Sequence, residues 1–145
     1  MLRGLSLLVV ALWAGALWMT GLAAYILFDS LPDRQLAGNL AGKLFAAVSY
    51  IGLVSASYLI IQRLFEFGTS AFRQSFFWLV LSMLLLVLTG HFGIQTHLQN
   101  LKTQALPLDV MQSMFAGQFK MWHGVAGVVY ALECLLAMAM VIKVR

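Results

Sequence analysis

Four long apolar stretches constrain this chain more than any other feature of its sequence. They cover residues 5–28, 43–62, 76–94 and 121–142. Each is long enough to cross the hydrocarbon of a bilayer, which is about 30 Å thick and takes about 20 residues of helix. Segments inside lipid must satisfy their own backbone hydrogen bonds, and these are too long for barrel strands, so they predict helices. We therefore expect an all-α fold, a polytopic bundle of four transmembrane helices that forms a single domain over residues 1–145.

The composition supports a lipid bilayer as the surroundings of the chain. Hydrophobic residues make up 62% of the sequence and charged residues only 10%, which is too apolar for a soluble domain of this length. The nine Lys and Arg residues are spread singly at the ends of apolar stretches, so no basic cluster follows a nucleic-acid backbone. We expect the bilayer as the main partner and no nucleic-acid partner.

The N-terminus shares features with a secretory signal peptide. Arg3 precedes an apolar stretch that contains the small residues Ala23 and Ala24 near its end. A cleavable apolar region has about 7–15 residues, and this stretch is far longer. The pattern therefore favours an uncleaved first transmembrane helix.

The connections between the stretches carry their own signals. Asp33 follows a turn and is a plausible N-cap for a helix that leads into the second stretch. Residues 95–104 are polar but contain neither Pro nor Gly, so the third helix is expected to continue past the membrane until Pro107 breaks it. Residues 108–119 place apolar side chains at helical spacing and predict a short interfacial helix before the fourth span.

Small residues indicate where the helices approach each other, because they allow close backbone contact in lipid. We expect such contacts at three pairs of glycines, namely Gly38 and Gly42, Gly90 and Gly93, and Gly124 and Gly127.

The distribution of Lys and Arg predicts the orientation. With four spans, both termini share one side with the link between the second and third helices, and that side holds five of these residues against four on the other. The five are Arg3, Arg63, Arg73, Lys143 and Arg145, and the four are Arg34, Lys43, Lys102 and Lys120. The count favours cytoplasmic termini.

Glu133 lies deep inside the fourth apolar stretch. A carboxyl at membrane depth is costly and marks a functional site by default. It borders a helical face that carries Tyr130 and Cys134, and together these form a buried polar stripe. Counting from the membrane boundary places Glu133 level with Ser82. A proton-relay group or a substrate-site acid is the functional interpretation, and a hydrogen bond between helices is the structural one; for Cys134 the structural interpretation is a buried thiol.

Two histidines are the strongest candidates for binding a cofactor. His91 lies about one turn before the end of the third span and His123 about one turn inside the fourth, so they are expected to share a depth on neighbouring helices. Such a pair suits axial ligation of a haem iron or part of a copper or zinc site. The alternative is hydrogen bonding to backbone or water. His97 projects about 120° away from His91 on a regular helix and lies outside this site.

Three segments resemble a known family: residues 12–45, residues 90–102 and residues 122–138, with the motifs L-P-D-R-x-L-A-G and W-H-G-V as their most specific parts. The chain resembles bacterial members of the transmembrane protein 205-like family, a membrane domain of unknown function that is loosely copper-resistance-D-like. The resemblance covers nearly the whole chain and implies a bacterial inner membrane. The haem histidine of the wider group lies on its first helix, and this chain has none there, so that site does not carry over.

No nucleophile–base pair, phosphate-binding loop or complete metal motif is visible, so an enzyme is the less favoured class. The leading hypothesis is a small membrane protein that binds a ligand or metal, or takes part in transport, with its site at the outer ends of the third and fourth helices. One alternative is an accessory subunit that packs against a larger membrane complex or forms a homo-oligomer. Another is a haem-binding membrane oxidoreductase.

Overall fold

The computed structural model describes residues 2–144, apart from the side chains of residues 2 and 3. Within these residues the fold is all-α and contains no strand. The α-helices are α1 (Leu2–Ser30), α2 (Arg34–Phe67), α3 (Ser75–Leu88), α4 (Thr96–Ala105) and α5 (Ala116–Lys143), and a π-helix (Thr89–Gln95) joins α3 to α4. Four helical segments in the described chain are long and apolar enough to cross a membrane. The predicted four-helix, multi-pass architecture is confirmed at this level.

The four segments run alternately up and down. Each packs against two neighbours, in the cyclic order α1, α2, α3 and α5. Contacts between distant residues fix the register: Ser6 donates to Gln62, and Gln95 Nε2 donates to the Gly42 carbonyl at 2.8 Å. We call the end that holds residues 68–74 and both ends of the described chain the termini end. The opposite end, which holds residues 31–33 and 106–115, is the loop end.

Helix α2 begins as the sequence predicts. The Asp33 carboxylate accepts hydrogen bonds from the backbone N–H groups of Gln35 and Leu36, at 2.9 and 3.1 Å, which satisfies two donors that the first turn of a helix leaves without partners. The helix then continues to Phe67 without a break and is followed by Gly68. Gly68 has φ 54, a backbone conformation that glycine adopts at little cost. The predicted lead-in and second span therefore form one helix.

The third span also continues past the membrane as predicted. The chain stays helical from Ser75 to Ala105, and α4 ends two residues before Pro107. The regular geometry is interrupted by the π-helix, which contains Gly90, His91 and Gly93. A wider helical turn of this kind changes the face on which each following side chain lies.

A short helix precedes the fourth span, as predicted, although it is shorter than the expected range of residues 108–119. Only a single 3₁₀ turn forms there, at Val110–Gln112, and residues 116–119 belong to the first turn of α5. The Asp109 side chain accepts from Met111 N, and the Ser113 hydroxyl donates to Val110 O and accepts from Phe115 N. These local bonds compete with a regular helix for the same backbone groups.

Tight contact between α1 and α2 centres on Trp13 and Gly52. The Trp13 side chain is fully buried and lies on the bare backbone of Gly52, where an added Cβ would stand 3.0 Å from Trp13 Nε1. This contact is not among the glycine contacts predicted above, and neither is a second close contact, between Gly21 of α1 and the Tyr130 ring. Of those, Gly38, Gly42 and Gly90 have close neighbours, whereas Gly93, Gly124 and Gly127 face open space.

Arg63 holds the termini end together. Its guanidinium donates to Gln74 Oε1 and to the Val144 carbonyl, both at 3.3 Å, and stands 4.5 Å from the centre of the Phe76 ring. The Arg63 side chain on α2 therefore contacts both α3 and the end of α5. The count that predicts cytoplasmic termini also includes Arg145 and the side chain of Arg3, which lie outside the described residues, so the orientation stays a prediction.

Replacing Gly52 by alanine tests the close contact with Trp13. The added methyl would meet the buried indole ring, and overpacking of this kind typically costs about 1–3 kcal/mol. We expect Gly52→Ala to lower the thermal unfolding midpoint in mild detergent. Gly127→Ala is the matched control, because Gly127 is exposed with open space around it. An equal effect of the two substitutions would contradict the contact.

Candidate functional site

An open groove lies at the loop end, between α2 and the segment that joins α3 to α4. It has a volume of about 670 Å³, and its walls carry a cluster of polar side chains. These are Asn39 and Lys43 from α2, with His91, Gln95, Thr96 and Gln99 from the facing wall. We call this cavity the outer groove. No carboxylate lines it.

Two hydrogen bonds tie the walls of the outer groove to each other. Gln95 Nε2 donates to the Gly42 carbonyl at 2.8 Å, and Lys102 Nζ donates to Asn39 Oδ1 at 3.1 Å. An added Cβ at Gly42 would lie 3.4 Å from the amide nitrogen of Gln99. Because Gly42 has no side chain, α4 can approach α2 closely, and the Gly42 carbonyl is free to accept the hydrogen bond from Gln95.

The π-helix brings His91 to the deep end of the outer groove. The imidazole makes edge-to-face contacts with the rings of Tyr50 and Phe92, each with centroids 4.8 Å apart. Its Nδ1 atom is buried and has no hydrogen-bond partner among the described residues. An unpaired buried polar atom of this kind commonly indicates a bound water, ion or ligand, or a functional role.

A second polar cluster lies inside the bundle, where α5 meets α1. The Tyr130 hydroxyl donates to the backbone carbonyl of Leu17, and the ring of Tyr130 stands edge-on to that of Phe45, with centroids 5.0 Å apart. Gly21 makes room for the tyrosine, since an added Cβ there would lie 3.3 Å from the Tyr130 ring. The hydroxyl thus joins two spans at a point where α1 carries no side chain.

Glu133 faces the interior and exposes only 8% of its surface. Its neighbour across the helix interface is Gly90, where an added Cβ would lie 3.8 Å from Glu133 Oε1. Among the described residues, no hydrogen bond reaches its carboxyl. Cys134 is also buried and is a free thiol.

The level expected for Glu133, beside Ser82, is wrong. The structure places its carboxyl beside Gly90, two turns nearer the loop end. The expectation assumed that the third and fourth helices change from membrane to solvent near residues 94 and 121. In the structure α5 begins at Ala116 and the third span runs on to Ala105, so counting from those boundaries gives the wrong register.

The described contacts place the three histidines in different surroundings. His97 contacts Trp122, with centroids 4.9 Å apart, whereas the exposed His123 stacks on Phe119. Gly90 lies beside Val129 of α5, so His91, the next residue, is close to the level of Val129. Val129 follows His123 by six residues along α5. At about 1.5 Å per residue, that offset is about 9 Å along the axis. The structure does not bring His91 and His123 together.

Metal binding by these residues gains no support from the geometry. No group of three or more His, Cys, Asp or Glu side chains in the described part of the chain could hold an ion. Assignment of haem or copper to His91 and His123 therefore stays a prediction.

The sequence analysis missed the outer groove, although a signal for it exists. Asn39 and Lys43 are four residues apart on α2, and Gln95, Gln99 and Lys102 follow at spacings of four and three. Residues at these spacings share one face of a helix. Two polar faces near the same end of neighbouring helices would have predicted a polar cleft.

Substitution of Glu133 tests whether its carboxyl lacks a partner. Leaving a buried polar group unpaired costs folding about 1–3 kcal/mol. We expect Glu133→Leu to unfold at a higher temperature than the wild type in mild detergent, and Glu133→Gln to stay close to it. A large loss of stability in the leucine variant would instead mean that the carboxyl has a partner, such as a bound water or ion.

Comparison with protein families assigns residues 7–107 to DUF4149, a domain of unknown function. This match covers more than half of the chain, and the chain belongs to this family. No curated protein and no solved structure matches it. The matched region contains every residue of the outer groove, whereas Tyr130, Glu133 and His123 lie beyond it. A link to the transmembrane protein 205-like family and a bacterial origin stay predictions.

Proposed function

We propose that this DUF4149 protein is a ligand-binding membrane protein and that the outer groove is its binding site. The groove itself supports the proposal, because it is a cavity of about 670 Å³ whose walls bring several polar side chains together, in a chain whose surface is otherwise largely apolar. Ligand sites are typically concave and place a few polar groups so that they converge. The site lies between α2 and the third span rather than at the ends of the third and fourth helices.

The chemistry of the lining favours binding over catalysis. Amide, hydroxyl, imidazole and ammonium groups supply hydrogen-bond donors and acceptors. A nucleophile activated by an adjacent base would point to covalent catalysis. Among the described residues, the lining holds no cysteine or serine, and the Thr96 hydroxyl donates to the His91 backbone carbonyl and not to a base. His91 adds an imidazole nitrogen that no described residue satisfies.

The haem-binding oxidoreductase has less support than the binding protein. An iron held by two axial histidines needs both imidazoles about 2 Å from the metal. Because Gly90 lies beside Val129, the backbones of His91 and His123 are offset by about 9 Å along the bundle, and the two imidazoles contact different rings.

A subunit role is the second candidate, and the exposed face of α5 favours it. Eight residues repeat at heptad spacing on this face, and all eight are exposed. One row has the small residues Gly117, Gly124 and Ala131 followed by Met138, and the other has Met121, Val128, Leu135 and Ile142. Small residues alternating with large ones are typical of helix pairs in membranes. This face suits packing against another helix, within a homo-oligomer or a larger complex.

Filling the outer groove tests the binding function. Ala46 lines the groove, whereas Ala47, the next residue, is exposed outside it. We expect native mass spectrometry in mild detergent to detect a bound small molecule on the wild type and on Ala47→Trp, but not on Ala46→Trp, because only the second indole occupies the cavity. The proposal is wrong if no bound mass depends on residue 46.

The subunit role has a separate test on α5. Gly124→Phe places a large ring on the exposed face, so we expect it to reduce crosslinking between copies or to partners in native membranes. Gly15→Phe is the matched control, since Gly15 is also an exposed helical glycine with open space around it. Crosslinking that is the same in both variants and the wild type would count against the α5 face.

A further inference from the structure

The outer groove has an unbalanced charge. Lys43 lines it, whereas Lys102 stands beside it, bonded to the amide of Asn39 and close enough to the Asp109 carboxylate to interact with its charge. Among the described residues, the lining contains no Asp or Glu side chain that could neutralise the Lys43 ammonium group. A cavity with cations and no anions attracts a negatively charged ligand, and it disfavours a metal cation or an ammonium group.

Neutral donors accompany this charge. The Asn39 amide uses its oxygen for Lys102, which leaves its N–H groups for a ligand. Gln99 adds an amide that faces the bare backbone of Gly42, whereas the Thr96 hydroxyl already donates to the His91 carbonyl at 3.3 Å. Several donors around one ammonium match a group with several acceptor oxygens, and phosphate is the common group of this kind.

The depth of the groove indicates where such a group would come from. Helix α2 has 34 residues and is about 51 Å long, well beyond the 30 Å or so of hydrocarbon. Arg63 marks the boundary at the termini end. Counting the roughly 20 residues that cross the hydrocarbon from there towards the loop end leads to Lys43. The groove therefore lies at the level of the lipid headgroups.

Below the groove, towards the bilayer centre, the protein surface is apolar and exposed. On α2, Tyr50, Ile51 and Val54 expose 58%, 46% and 73% of their surfaces, and Leu88 and Phe92 on the facing helix expose 37% and 58%. Acyl chains would lie against these side chains while their headgroup entered the groove. A free anion would gain nothing from this surface.

We propose that the outer groove binds the phosphodiester of an anionic membrane lipid, with Lys43 as the charged partner and the amides of Asn39 and Gln99 as neutral donors. This rests on the proposed binding function and names its ligand class. The charge balance also sets a preference among lipids. The ammonium of an ethanolamine headgroup would find only neutral acceptors in the lining and the charge of Lys43 beside it, so a glycerol headgroup is favoured.

Native mass spectrometry with defined lipids tests the proposal. The full-length protein in mild detergent is titrated with phosphatidylglycerol, with phosphatidylethanolamine of the same acyl chains, and with glycerol 3-phosphate as the free anion. We expect phosphatidylglycerol to bind preferentially and glycerol 3-phosphate not to displace it. Loss of one hydrogen bond to a charged group corresponds to about a tenfold change in affinity, so Lys43→Gln should weaken phosphatidylglycerol binding by about that factor.

Two further variants separate a specific contact from general electrostatics. Lys120→Gln removes an exposed lysine at the same end of the bundle but outside the groove, and it should leave binding unchanged. Lys43→Arg keeps the charge and should retain phosphatidylglycerol. Equal losses for Lys43→Gln and Lys120→Gln would overturn the proposal, as would equal binding of the two lipids or displacement by glycerol 3-phosphate.

The result also separates this proposal from the binding function on which it rests. If a bound mass is lost in Ala46→Trp but is unaffected by Lys43→Gln, the groove binds another ligand class and only the lipid proposal falls. If no bound mass depends on Ala46, both proposals fall.

Discussion

In a lipid bilayer the hydrophobic effect does not drive helices to pack against each other. Apolar side chains are as well solvated by acyl chains as by each other, so the bundle depends on close contacts and on hydrogen bonds between helices. The structure supplies both on α1. Trp13 lies on the backbone of Gly52, and the Tyr130 hydroxyl reaches the Leu17 carbonyl past Gly21. In this way α1 is fixed to both of its neighbours, α2 and α5.

The outer groove depends on a different feature, the irregular helix between α3 and α4. A regular helix through residues 89–95 would present His91 and Gln95 at other angles, and the bond from Gln95 to the Gly42 carbonyl requires the observed one. The same segment places Gly90 against the carboxyl of Glu133. The groove and the buried acid therefore share one structural element, in which Gly90 lies beside Glu133 while His91 and Gln95 line the groove.

Sequence reasoning predicts the parts of this fold that follow from local chemistry. Hydropathy gives the four spans, the Asp33 side chain gives the start of α2, and Pro107 gives the end of the third span. Prediction from sequence fails where a contact depends on residues that are distant along the chain. Gly21 and Gly52 are close contacts only because Tyr130 and Trp13 face them, whereas Gly124 and Gly127 face open space. The level of Glu133 depends on the register of two helices that both extend beyond the expected boundaries, and no local pattern reports it.

The hydrogen bonds from Gln95 to Gly42 and from Lys102 to Asn39 determine how a ligand would meet the outer groove. Both walls are continuous helices, and the two bonds fix the distance between them without any ligand. Little conformational entropy would then be lost on binding. Selection would depend on the size and charge of the ligand and not on closure of the walls. If the ligand is a membrane lipid, exchange would proceed by lateral diffusion within the membrane.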